Sequence, residues 1–185
     1  MITLLFKRAI LALSAVLFLS VQPALAADPE NTLVMDLANG KVVIELRNDL
    51  APKHVARIKE LTRKGFYDGT PFHRVLEGFM AQGGDPTGTG TGGSGTKLRA
   101  EFSGEPFVRG VVGMARSASP DSADSQFFIM FGAAASLDGK YTIVGKVLEG
   151  MEFVDRIKRG DASDNGLVSK PDKLVRMQVL ADVKK

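Results

Sequence analysis

Short apolar-rich runs separated by clusters of Gly, Pro, Asn, Asp and Ser dominate the chain, a spacing that predicts many short strands rather than long helices. Residues 33–37 and 41–46 flank Asn39-Gly40, a dipeptide suited to the positive φ angles of a tight type I′ turn, so the first element is predicted to be a β-hairpin. Further β-rich runs stand at 71–75, 79–82, 97–102, 110–114, 126–130 and 142–147, and 174–183 alternates as a last strand. Two segments change the period. In 51–64, Val55, Ile58, Leu61 and Thr62 recur at helical spacing behind Pro52, with Asp49 as the candidate cap and Gly65 as the stop. Lys53, His54, Arg57 and Arg63 fall largely on its other, solvated face. In 152–159, Phe153, Val154 and Ile157 predict a second short helix ending at Gly160. With strands at both ends of the chain and only two helices, the economical reading is a mostly β fold: a closed antiparallel eight-stranded β-barrel capped by two α-helices. Closure leaves no exposed edge.

Composition removes the first 26 residues from that fold. Lys7 and Arg8 precede an apolar run over 9–19, and Ala24-Leu25-Ala26 forms a small-x-small cleavage site, the pattern of a secretory signal peptide. The apolar run is shorter than the roughly 20 residues that span a bilayer, so cleavage is expected and no stable membrane insertion after it. Residues 27–185 are then one domain, long enough for a core of its own. Of the 24 basic and 21 acidic residues, Lys7 and Arg8 belong to the leader, which leaves 22 against 21, a net charge of +1. Nucleic acid is therefore not expected as a partner. The absence of Cys and the presence of only two His argue against a disulfide framework, a thiol nucleophile and a zinc site.

The stretch 72–85 does not read as plain core. It places Arg74 and Gln82 among the large apolar side chains Phe79 and Met80, although an unpaired buried polar group is costly. An apolar surface with two aimed polar groups is the composition of a small-ligand pocket. Immediately after it, 83–95 holds seven Gly among Thr, Ser, Asp and Pro and must be loop. Its Gly88, Gly90 and Gly93 fit G-x-G-x-x-G, but the loop neither opens a helix nor lies in a βαβ unit, so dinucleotide binding is a poor reading.

The residues also carry a family pattern. Phe72-His73-Arg74-Val75, Gly78-Phe79-Met80, Gln82-Gly83-Gly84-Asp85, Gly90-Thr91-Gly92-Gly93, Gly113-Met114-Ala115, Ser125-Gln126-Phe127-Phe128-Ile129 and Leu137-Asp138-Gly139-Lys140 closely resemble, in order, the cyclophilin peptidyl-prolyl isomerases. With the leader, the chain resembles the bacterial periplasmic members. That resemblance implies a monomeric, cofactor-independent enzyme of the periplasm that acts on proline-containing polypeptides and assists the folding of exported proteins. By the same resemblance, Arg74 and Gln82 are the catalytic pair, Phe79, Met80, Phe128 and Leu137 line the proline pocket, Ala115 and Arg116 border the neighbouring subsite, Gln126 assists from the side and Tyr141 packs at the pocket edge. Ser136 stands where many members carry Trp, Tyr141 where His is common and Arg116 where Asn is frequent. Ser136 removes a large apolar wall and an indole donor that the family uses to bind cyclosporin tightly.

The chemistry is consistent with the residue types. Rotation about an X-Pro bond faces a barrier near 18–20 kcal/mol, while the two isomers differ by only about 0.5–1 kcal/mol. Twisting returns lone-pair character to the prolyl nitrogen, and a guanidinium, charged at every working pH, interacts better with that state than with the planar amide. No nucleophile, metal or cofactor is required. Amide rotation transfers no proton, so His73 is read as a structural residue. A protein that holds proline-containing chains without turning them over is the rival reading, and the Arg74 and Gln82 pair stands against it.

Overall fold

The computed structural model describes residues 28–184, and the segment read as a signal peptide lies outside them. Eight strands, β1 (Thr32–Leu37), β2 (Gly40–Leu46), β3 (Arg74–Leu76), β4 (Met80–Gly83), β5 (Val111–Met114), β6 (Phe127–Met130), β7 (Ile143–Glu149) and β8 (Leu174–Val179), form one antiparallel sheet in the order β3-β4-β6-β5-β7-β2-β1-β8. Two helices, α1 (Pro52–Arg63) and α2 (Met151–Val154), accompany it.

The sheet is an open, curled half-barrel and not the closed barrel expected. Its edges, β3 and β8, do not pair as strands. They are brought together by irregular chain: the Phe72 amide donates to Asp172 O, the Leu174 amide to Thr70 O, and Pro71 and Lys173 form an isolated bridge. Pro71 has no N–H to donate, and β3 is only three residues long, so a continuous ladder cannot form across this seam.

Strand alternation builds two cores from one sheet. On β6, Phe127 and Ile129 face the main core, which also takes Met35, Ile44, Val112, Val144 and Met177 from the sheet and Val55, Ile58 and Leu61 from α1. Phe128 and Met130 point the other way, into a second cluster with Met80, Phe107, Val111 and Ile143. Adjacent residues of one strand thus belong to opposite faces, as the two-residue period requires. Each buried aromatic or aliphatic side chain contributes about 1.5–3 kcal/mol.

Four local expectations need correction. The hairpin turn is made by Ala38 and Asn39, with Leu37 opposite Gly40, and Asn39 does not take a positive φ. Gly40 is required instead by close approach, since a Cβ there would lie 2.5 Å from the Phe153 ring. Residues 97–102 form no strand, only an isolated bridge between Leu98 and Ala123. The second helix is a single turn, Met151–Val154, continued by tighter turn bonds from Arg156 to Phe153 O and from Ile157 to Val154 O.

The fourth correction concerns the start of α1. Asp49 does not cap it, because its carboxylate is bound by the Arg47 guanidinium. His54 is not solvated either: it is fully buried. Glu101, 47 residues away, accepts from the amides of Lys53 and His54 at 3.1 and 3.0 Å and sits 2.6 Å from His54 Nδ1. Burial acts to raise the Glu101 pKa, but the hydrogen bonds from His54 and Lys53 outweigh it and hold the carboxyl below its usual value. Its stabilising contribution is therefore present at neutral pH and lost as pH falls through that lowered value. Glu101→Ala removes a helix cap and strands a buried imidazole, and is expected to cost about 2–4 kcal/mol in urea unfolding.

Candidate functional site

The second cluster is the floor of a surface cavity of about 160 Å³, lined by Arg74, Phe79, Met80, Gln82, Ala115, Arg116, Phe128, Leu137 and Tyr141. Nine of the ten residues singled out in the sequence meet there. Gln126 stands in the wall of an adjoining cavity instead. The sheet register makes this convergence. Arg74 on β3 pairs with Gln82 on β4, Gln82 pairs with Phe128 on β6, and Met80 pairs with Met130, so side chains of one parity rise on one face. Phe128 stacks on Phe107 at 5.7 Å and 26°, and Tyr141 meets both rings edge-on at 5.9 and 6.5 Å. Gly113 makes room for the stack, since a Cβ there would lie 2.5 Å from Phe128 and 2.7 Å from Phe107. Ser136 is not among the walls. The Tyr141 ring closes the edge, with the Arg116 guanidinium 4.4 Å above it.

Above this apolar floor runs a polar chain. Arg74 Nη1 donates to Gln82 Oε1 at 3.1 Å, Gln82 Nε2 to Gln126 Oε1 at 2.9 Å, and Gln126 Nε2 to Gly90 O and Gly92 O. Arg74 Nε and Nη2 donate to the backbone and side-chain oxygens of Asn165 at 3.0 and 2.9 Å. Among the described residues no carboxylate lies within ion-pairing distance of Arg74. Its acceptors are all neutral, and burial lowers its pKa from the ordinary arginine value. A guanidinium so far up its range remains charged at any working pH. Three of its five N–H groups are engaged, and two are free.

Asn165 was not singled out in the sequence. It lies in a polar loop whose composition signals only a turn, and its one local sign is the Asn165-Gly166 dipeptide, where Asn165 takes a left-handed φ of 51°. The glycine loop is also explained without a phosphate. Asp85, fully buried, accepts from the amides of Thr87, Gly90 and Gly92 and from the Thr87 hydroxyl, so the donors that could cradle an anion already have one. His73 is buried with neither ring nitrogen hydrogen-bonded, and burial pushes its pKa down.

The model of the family described as cyclophilin type peptidyl-prolyl cis-trans isomerase/CLD matches residues 32–179. A probable peptidyl-prolyl cis-trans isomerase of Brucella suis is 54% identical over 194 aligned positions, covering 97% of this chain and 99% of that protein. Peptidyl-prolyl cis-trans isomerase B of Bacillus subtilis is 44% identical over 65% of this chain and 85% of its own length. Among solved structures, the cyclophilin AquaCyp293 of Hirschia baltica superposes with a TM-score of 0.74 at 30% identity, over 85% of this chain and 77% of that one. A Cryptosporidium parvum cyclophilin-type isomerase, crystallised in the presence of the dipeptide Ala-Pro, gives 0.73 at 28% identity, over 80% and 98%.

Proposed function

The chain belongs to the cyclophilin-type peptidyl-prolyl cis-trans isomerases and is an isomerase, and on that footing we propose how it works: Arg74 stabilises the twisted X-Pro amide while the prolyl ring sits in the 160 Å³ cavity. The observation that carries this reading is a guanidinium with two free N–H groups and, among the described residues, no carboxylate partner, held by Gln82 and Asn165 over an apolar floor. Phe79, Met80, Phe128 and Leu137 grip the pyrrolidine. Gln82 Nε2 keeps a second N–H for a substrate carbonyl. As the amide turns, the prolyl nitrogen becomes an acceptor, and a fixed cationic donor gains more with that state than with the planar one. Lowering the barrier by about 5–7 kcal/mol gives on the order of 10⁴–10⁵-fold acceleration, within reach of one such donor plus positioning. The Ala-Pro dipeptide used with the Cryptosporidium relative fits the substrate class proposed here, proline-containing peptides.

Asn165 is a positioning residue in this scheme. Asn165→Gly keeps the left-handed backbone and the carbonyl acceptor but removes Oδ1. It is expected to lower kcat about three- to tenfold with KM nearly unchanged, the size of one hydrogen bond acting through Arg74. A change in KM alone would speak for a merely structural loop.

The biological role proposed is assistance to folding of exported chains by a monomer in the periplasm, supported by the leader-like composition of residues 1–26 and the single domain read over 27–185. Proline-limited refolding of an unfolded chain tests it: the slow phase should accelerate at substoichiometric protein. Binding of the unfolded chain with no acceleration would assign the protein to the holding class.

A further inference from the structure

Beside the proline cavity lies a second one of about 390 Å³, and Gln82, Ala115 and Arg116 wall both. A chain with its proline in the smaller cavity can place a flanking residue over the larger one, where the chemistry of that wall would bear on it. Its charges are unequal. Lys97 is exposed, and among the described residues no carboxylate lies within ion-pairing distance of it or of Arg116. Arg116 is held by carbonyls only, those of Ser117, Ala118 and Lys140. The one acid of the wall, Asp124, is already committed: its oxygens receive the Ser94 amide and hydroxyl and the Gly95 amide. Among the described residues, therefore, two cations without a carboxylate partner line one cavity, Arg116 with neutral acceptors alone, and the one acid in its wall already has its donors.

We propose that this cavity makes the isomerase selective for substrates with an acidic side chain flanking the proline, received by Lys97 and Arg116. The inference rests on the reading of the smaller cavity as the proline site. It concerns Arg116 in a second role, since its side chain walls both cavities. Ion pairs at partly exposed positions are each worth little, so two together give about a three- to tenfold preference in kcat/KM for Glu over Gln. The preference weakens with salt, because the Debye length shrinks to about 3 Å at 1 M.

The test is cis-trans exchange NMR with the full chain and a set of short peptides. Each carries one proline, and Glu, Gln or Lys occupies in turn each flanking position. The expected order is Glu above Gln above Lys, confined to one flank and reduced at high salt. Lys97→Glu, at an exposed position that does not carry the fold, should reverse the order, and Arg116→Gln should flatten it. Equal turnover of all peptides, or an order untouched by Lys97→Glu, overturns the inference and leaves the isomerase reading standing. No turnover of any peptide overturns that reading, and this inference with it.

Discussion

Arg74→Ala is expected to lower kcat/KM for an Ala-Pro peptide by about 10²–10³-fold, the loss seen when one preorganised donor to a developing acceptor is removed. The fold should survive. Arg74 lies on a three-residue edge strand, half-buried, and among the described residues its hydrogen-bond partners are all neutral and no ion pair is broken. Its unfolding free energy should therefore stay within about 1 kcal/mol of the parent, as for other changes outside the core. Arg74→Lys keeps the charge but not the planar fork that engages Gln82 and Asn165 while leaving two N–H groups free, so it should recover little. Turnover is read by a protease-coupled assay and stability by urea unfolding on the same preparations. A mutant as active as the parent would remove Arg74 from the mechanism.

Phe128→Ala is the second large effect, and it acts on stability and binding together. The ring is 4% exposed, stacks on Phe107 and lines the 160 Å³ cavity proposed to hold the prolyl ring. Truncation leaves a void under the stack, at a cost of about 3–5 kcal/mol. It also removes apolar surface proposed to receive the pyrrolidine, so proline-peptide affinity should fall beyond measurement while the remaining protein is still folded at low temperature. Phe128→Leu separates the two effects. It fills most of the volume, so the stability loss should be smaller, yet it lacks the flat ring and should still weaken binding. Peptide titration and denaturant unfolding, done side by side, read both.

The stretch 72–85 was legible because it broke a local rule: a guanidinium and an amide among large apolar side chains need a purpose, and the register Arg74 opposite Gln82 supplies it. The first helix was legible as a period and the hairpin as two apolar runs, whereas the turn between them lies one residue earlier than Asn39-Gly40 and the second helix shrinks to a single turn. What was not legible depended on chain far away. His54 looked solvated on a helical wheel, but Glu101 crosses 47 residues to bury and bond it. Closure of the barrel failed for the same reason, since whether β3 and β8 pair is decided by Pro71 and the loop before β8, not by the pattern within either strand. Residues 97–102 have strand-like composition, yet the Glu101 amide bonds the Thr142 hydroxyl and the Ala100 amide bonds Asp121, which spends their donors on side chains. Asn165 reaches Arg74 across 91 residues, from a loop whose composition says only that it turns.

In the proposed mechanism a fixed charge, with no proton transfer, turns the prolyl bond. Burial lowers the pKa of the neighbouring imidazole, His73, and so favours its neutral form, while Arg74 stays protonated. Exchange NMR of an Ala-Pro peptide at substoichiometric protein, from pH 6.5 to 9, tests this most directly. Cis-trans exchange should be far faster than the tens to hundreds of seconds of the free peptide, at a rate flat across that interval. Peptide binding without accelerated exchange, or a rate that follows a single ionisation within it, would contradict the account.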